Sequence, residues 1–193
     1  MTSDDDRLLL LKLARGALTA RVTGHTMPAP GSSDVLGRLA GAFVSLHKRG
    51  RLRGCIGHVE ANEPLARVVA RCAVAAGSAD PRFTPVAPDE LSDIHIELSI
   101  LGPLEPIVSI VHVEIGRHGL VVEMGWNRGL LLPQVATEWR GDRETFAAET
   151  CRKAGLPPDG WTKGATLWRF EAEVFGESHD ARSTTHVARS TPN

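Results

Sequence analysis

Gly41-Ala42-Phe43-Val44-Ser45-Leu46-His47, then Lys48-Arg49-Gly50, then Arg51-Leu52-Arg53-Gly54-Cys55-Ile56-Gly57-His58-Val59: the fold reading turns on this stretch. Two extended runs flank a short basic turn that ends in glycine, the pattern of an antiparallel hairpin. Gly54 and Gly57 interrupt the returning strand. Glycine weakens a strand and offers no side chain to pack, so it marks a bulge or the close approach of another backbone or a ligand.

Toward the N-terminus, residues 24–40 hold Gly24, Pro28, Pro30, Gly31 and Gly37 and read as a loop. Before them Leu10, Leu13, Ala14, Ala17 and Leu18 recur at helical spacing, which predicts a helix over about residues 5–21. Toward the C-terminus, Asn62 is expected to cap a helix with Pro64 in its first turn. Its stripe is Leu65, Val68, Val69, Cys72 and Ala76, and Gly77 ends it. Asp80-Pro81-Arg82-Phe83 reads as a connector, and Ile94-His95-Ile96-Glu97-Leu98-Ser99-Ile100-Leu101 alternates as a half-buried strand does.

Short strands are expected around residues 120–122 and 130–132, and a last one over about residues 167–175. Between them Asp142 caps a helix that turns Phe146, Ala147, Thr150, Cys151 and Ala154 inward. Strands in hairpin order, with helices between the groups, predict an α+β fold: two-lobed, with antiparallel sheets flanked by helices. Residues 1–177 are read as one functional unit, and the polar stretch 178–193 as a disordered tail.

Composition narrows the function classes. The 193 residues are 42% apolar and 23% charged, which is ordinary for a soluble globular domain with a sizeable core. A net charge of −1 argues against a broad nucleic-acid footprint. No apolar run approaches the roughly 18 residues that span a bilayer, and the start, Thr2-Ser3-Asp4-Asp5-Asp6, is acidic where a secretory signal is basic. The expected location is the cytoplasm. Cys55, Cys72 and Cys151 are widely spaced without C-x-x-C, so three free thiols are expected. No metal-binding spacing occurs among the eight histidines, and no phosphate-binding glycine loop precedes a helix. A cofactor is not legible.

Leu52-Arg53-Gly54-Cys55-Ile56-Gly57 resembles the signature hexapeptide of the AMMECR domain family. Asp80-Pro81-Arg82-Phe83-Thr84-Pro85-Val86 with Glu90-Leu91 and Glu97-Leu98-Ser99-Ile100-Leu101 agree with it. So do Gly116-Arg117-His118-Gly119-Leu120, Leu132-Pro133-Gln134-Val135-Ala136 and Cys151-Arg152-Lys153-Ala154-Gly155-Leu156. The resemblance, to a stand-alone bacterial member, implies a two-lobed α+β domain with antiparallel sheets. As partners it implies a Memo-type protein and a radical-SAM protein; it implies no reaction.

The candidate site is Cys55 as nucleophile, with Arg53, Gly54, Gly57, Asp80, Arg82 and His118 as binding residues. Strand alternation puts Arg53, Cys55 and Gly57 on one face, with the Cβ atoms of Arg53 and Cys55 roughly 7 Å apart. Arg53 is then expected to lower the Cys55 pKa and to hold a small anionic ligand beside it. The alternative is that Cys55 packs as a small hydrophobe and the glycines admit a helix. These readings stand level for Cys55, whereas Cys72 and Cys151 sit on apolar stripes and read as core. Asp80 and Arg82 either bind a ligand or pair to lock the connector, and the habits of turn carboxylates favour locking. His118 reads as a solvated turn histidine, able to serve Cys55 only if the lobes bring it near. The leading expectation is an accessory binding protein; the alternative is a thiol enzyme for group transfer or redox. A nucleic-acid role for Lys48, Arg49, Arg51 and Arg53 comes last.

Overall fold

The computed structural model describes residues 2–27, 29, 31–138 and 141–177. The expected tail, 178–193, lies outside the described residues.

Helix α1 (Asp4–Thr23) starts where the Ser3 side chain accepts from the Asp6 N–H, and three acidic residues in its first turn complement the helix dipole. It buries Leu10, Leu11, Leu13, Ala14, Ala17 and Leu18. The stretch expected to be loop contains a one-turn helix, α2 (Asp34–Gly37), capped by Ser33. Strands β1 (Ala42–Lys48) and β2 (Arg51–His58) form the hairpin. Its turn is only Arg49 and Gly50, both at positive φ (52° and 74°), because a two-residue turn matched to strand twist requires that conformation twice.

Helix α3 (Leu65–Ser78) differs from expectation at its start: Pro64 is the N-cap and no side chain caps it. Asn62 instead accepts through its Oδ1 from the His58 Nε2–H at 2.9 Å. Then follow β3 (Ile94–Leu101), β4 (Glu105–Ile107), β5 (His118–Met124) and β6 (Asn127–Leu131). Helices α4 (Pro133–Glu138) and α5 (Arg143–Lys153) precede the long β7 (Thr166–Gly176).

Every pairing is antiparallel, in the order β2-β1-β3-β7-β5-β6, with β4 alongside β7. β7 belongs to both halves: residues from Ala172 onward pair with β3, and those from Thr166 to Glu171 pair with β5. The α+β architecture is a curled antiparallel sheet flanked by helices. One core packs α1 and α3 on Ala42, Val44, Leu46, Ile96, Leu98 and Ile100. A second packs α5 on Leu120, Val122 and Leu131. A third lies on the inner face of the curl, where Leu101, Val121, Leu130 and Phe170 meet Phe43 and Val59. The two end strands approach each other, since Arg128 of β6 is 2.5 Å from Glu60 just beyond β2. Among the described residues no helix is long and apolar enough to cross a membrane.

Candidate functional site at the Cys55 strand

The two strand glycines have different neighbours. A Cβ on Gly54 would lie 2.2 Å from the Ala76 carbonyl oxygen, so its absence lets α3 press its backbone onto β2. A Cβ on Gly57 would lie 2.2 Å from the Phe43 ring, which covers that glycine from the opposing strand. Protein therefore fills both gaps that the sequence left open to a ligand. The same device recurs in the other half, where the Phe170 ring covers Gly119.

A β-bulge decides where Arg53 goes. Leu46 pairs with Gly54 but His47 pairs with Leu52, which leaves Arg53 as the extra residue. Bulges re-aim side chains. Here the guanidinium donates to both Glu90 carboxylate oxygens (3.2 and 2.9 Å) and to the Thr84 and Pro85 carbonyls. The simple alternation that placed Arg53 over Cys55 does not hold through the bulge. Lys48 donates to the same carboxylate, and Arg53, the Ala87 N–H and Lys48 together hold the Glu90 pKa down to about 2. Arg49 faces Asp93 at 3.9 Å, so three of the four basic residues around the hairpin tip have acidic partners.

Glu90 carries a pH prediction. Its folded pKa lies below the ordinary glutamate value of 4.5, so its stabilisation is complete above that value and drains as pH falls toward 2. Glu90→Gln is expected to cost about 1–2 kcal/mol at pH 7 and to be nearly neutral at pH 2. Urea denaturation across that range measures the difference.

Arg82 takes the place beside Cys55. The buried Asp80 carboxylate accepts from the Cys55 N–H at 2.8 Å and from Arg82 Nε and Nη2 at 3.0 and 2.7 Å. Arg82 Nη2 also donates to the Cys55 carbonyl at 3.3 Å. Arg82, foremost, and the Cys55 N–H hold the Asp80 carboxyl far below the usual carboxylate range. On the inner face, Ser45 stands opposite Cys55 and its Oγ donates to the sulfur at 3.3 Å. Cys55 is half-buried.

The other half of the molecule contributes Lys153, the last residue of α5. Its ammonium interacts electrostatically with both the Cys55 sulfur and the Arg82 guanidinium. The Lys153 side chain is exposed to solvent. Desolvation, and then Arg82, push its pKa down while the Cys55 sulfur opposes them. Arg82 is bonded to the Cys55 carbonyl, and Lys153 lies within electrostatic range of both, on the side where Ala154 packs on Gly129 of β6 and Arg128 reaches Glu60.

The AMMECR1 family model matches residues 11–175. This chain belongs to the AMMECR1 family. A protein of Methanothermobacter thermautotrophicus is 45% identical over 186 residues, covering 91% of this chain and 96% of its own. Protein MJ0810 of Methanocaldococcus jannaschii is 39% identical, covering 86% and 88%. The crystal structure of the uncharacterized protein PH0010 from Pyrococcus horikoshii is similar, with a TM-score of 0.85 at 38% identity over 91% of this chain and 93% of that one.

In this AMMECR1 chain the other sequence candidates separate from Cys55. His118 is a buried residue that begins β5, and its Nδ1 accepts from the Glu114 N–H at 2.9 Å. That bond fixes the proton on Nε2, which lies 4.0 Å from Glu171. Burial, then Arg169 and Arg117, lower its pKa. It lines an open groove of about 1270 Å³ on the outer face, with Arg117, Arg169 and Glu171, and Cys55 is not part of that groove. The solvated-turn expectation for His118 is therefore replaced by a buried strand position. Cys72 and Cys151 are core thiols, and burial raises the Cys72 pKa to about 11. Among the described residues no group of three or more His, Cys, Asp and Glu could hold a metal.

Sequence reading missed Ser45, Glu90 and Lys153. The first was within reach: a two-residue Arg49-Gly50 turn brings Ser45 opposite Cys55 or one place away. Lys153 was not, because its approach to Cys55 comes from the curl of the sheet and no local pattern encodes that.

Proposed function

We propose that the chain is a cytoplasmic accessory binding protein whose gap beside Cys55 accepts a small anionic group between Arg82 and Lys153. The partners are those the family resemblance implies, a Memo-type protein and a radical-SAM protein. One arrangement carries the reading: Arg82 bonds the carbonyl of half-buried Cys55, and Lys153, from the other half of the chain, lies within electrostatic range of both. Asp80 already neutralises Arg82, whereas Lys153 has no acidic partner among the described residues and keeps its N–H groups for an anion. The three free thiols support the cytoplasm.

Lys153→Met tests the site with little risk to folding, because the side chain reaches solvent. Millimolar inorganic phosphate is expected to raise the melting temperature of the wild type by a few degrees and to leave the variant unmoved. The reading is abandoned if phosphate and small carboxylates stabilise neither protein and neither partner co-purifies at native concentration.

The Ser45 hydroxyl aimed at the sulfur favours one second reading, a thiol enzyme, since a donor to sulfur stabilises a thiolate. Alkylation with iodoacetamide, followed by mass spectrometry of each cysteine against pH, decides it. Cys55 is expected to react while Cys72 and Cys151 stay protected. A Cys55 rate at pH 7 no faster than that of free cysteine removes the enzymatic reading.

A further inference from the structure

The inner face of the curled sheet changes character from row to row. Leu101 and Phe170 belong to hydrocarbon. The next row runs Gly57, Phe43, Ser99 across β2, β1 and β3, and the one after it runs Cys55, Ser45, Glu97. Ser99 is buried and takes a 3.4 Å contact from Gln134 Nε2 of α4. That leaves Gln134 Oε1 buried with no hydrogen-bond partner among the described residues. Glu97 is half-buried, and among the described residues neither a hydrogen bond nor an ion pair engages its carboxylate. His47, one row further out, has a buried Nε2 without a partner and can serve either polarity.

Among the described residues, a half-buried carboxylate on β3 and a buried amide oxygen on α4 thus stand without donors. Two strands away, Arg82 and Lys153 are cations at the opposite end of the Cys55 row. An unpaired buried acceptor costs roughly 1–3 kcal/mol, more when it is charged, and a ligand donor recovers that cost. Strand spacing puts the Cys55 and Glu97 Cα atoms roughly 10 Å apart, which is about the length of three extended residues.

We propose that the site selects a short zwitterion, with its anionic end between Arg82 and Lys153 and an ammonium or amide donor over Glu97 and Gln134. This rests on the anion-binding role proposed above and supplies the other half of the ligand. Ser45, midway between Cys55 and Glu97, faces the ligand's middle. A simple anion satisfies only one end of this row, and a simple amine only the other.

Calorimetric titration with triglycine and with N-acetyltriglycine, into the wild type and Glu97→Gln, tests the proposal. Both probes carry the carboxylate and only the first carries an ammonium. The wild type is expected to bind triglycine at least tenfold more tightly. Glu97→Gln is expected to bring the two affinities within about twofold. The comparison is between probes on one protein, so a general loss of stability in the variant does not mimic it. Equal affinity of the wild type for both probes overturns the zwitterion and leaves the anion site standing, as does discrimination that survives Glu97→Gln. Phosphate stabilisation without triglycine binding also overturns it. Loss of phosphate stabilisation as well removes the anion site on which it rests.

Discussion

Gly54→Ala is expected to lower the unfolding free energy by about 3 kcal/mol, near the upper end for overpacking a well-packed interior. The added methyl would meet a carbonyl oxygen of α3 at 2.2 Å, and a backbone atom inside a helix has no rotamer to escape into. Either α3 lifts from the sheet, opening the contacts of Val68, Val69 and Cys72, or β2 shifts and the bulge at Arg53 is lost. At roughly 2–4 °C per kcal/mol for a domain of this size, the melting temperature should fall by about 6–12 °C. Gly57→Ala is the control. Its clash is with the Phe43 ring, a side chain that can swing, so about 1 kcal/mol is expected. Calorimetry on the two variants measures the contrast, and equal losses would mean that α3 does not rest on Gly54.

Asp80→Asn is expected to cost about 2–3 kcal/mol, read as a shifted urea midpoint. The Asp80 side chain is 2% exposed and satisfies both the Cys55 N–H and the Arg82 fork. An amide cannot accept from all of these donors, and breaking a buried ion pair strands its partner. Arg82 is 55% exposed and regains water, which keeps the loss below the deepest buried pairs. The pH dependence has a defined sign. Because the folded Asp80 pKa is depressed, its stabilisation is present above the ordinary aspartate range and is lost as pH falls below about 4. The gap between wild type and Asp80→Asn should therefore narrow in acid. The Cys55 alkylation rate should change in the same variant at pH 7, since Asp80 positions the backbone that carries the sulfur.

The fold was legible where a residue pattern is local. The bounds of Ile94–Leu101 match β3 residue for residue, with burial alternating only as far as Leu98, and the α1 and α3 stripes bury the residues that their periodicity selects. The cap of α3 was misread because Asn62, a good capping residue by type, is engaged with His58 while Pro64 begins the helix. Arg53 was misplaced for a subtler reason. Alternation holds only while each residue has one cross-strand partner, and an inserted residue breaks it without leaving a mark that composition reveals. Asp80 and Arg82, read either as ligand-binding residues or as a pair within the connector, do bond each other, yet they also close on Cys55, which no spacing discloses. His118 looked like a turn residue because of the glycines around it, but Gly119 is already inside β5, under Phe170.

The bonds that Asp80 and Arg82 make to the Cys55 backbone have a meaning beyond the thiol. β2 is the outermost strand of the sheet, and an outermost strand with free amides and carbonyls invites pairing with a second molecule. At Cys55 both groups are already occupied by side chains from the following connector. The DPRF segment thereby acts as a stopper against intermolecular strand stacking at the very position where the glycine-interrupted strand would otherwise be easiest to extend.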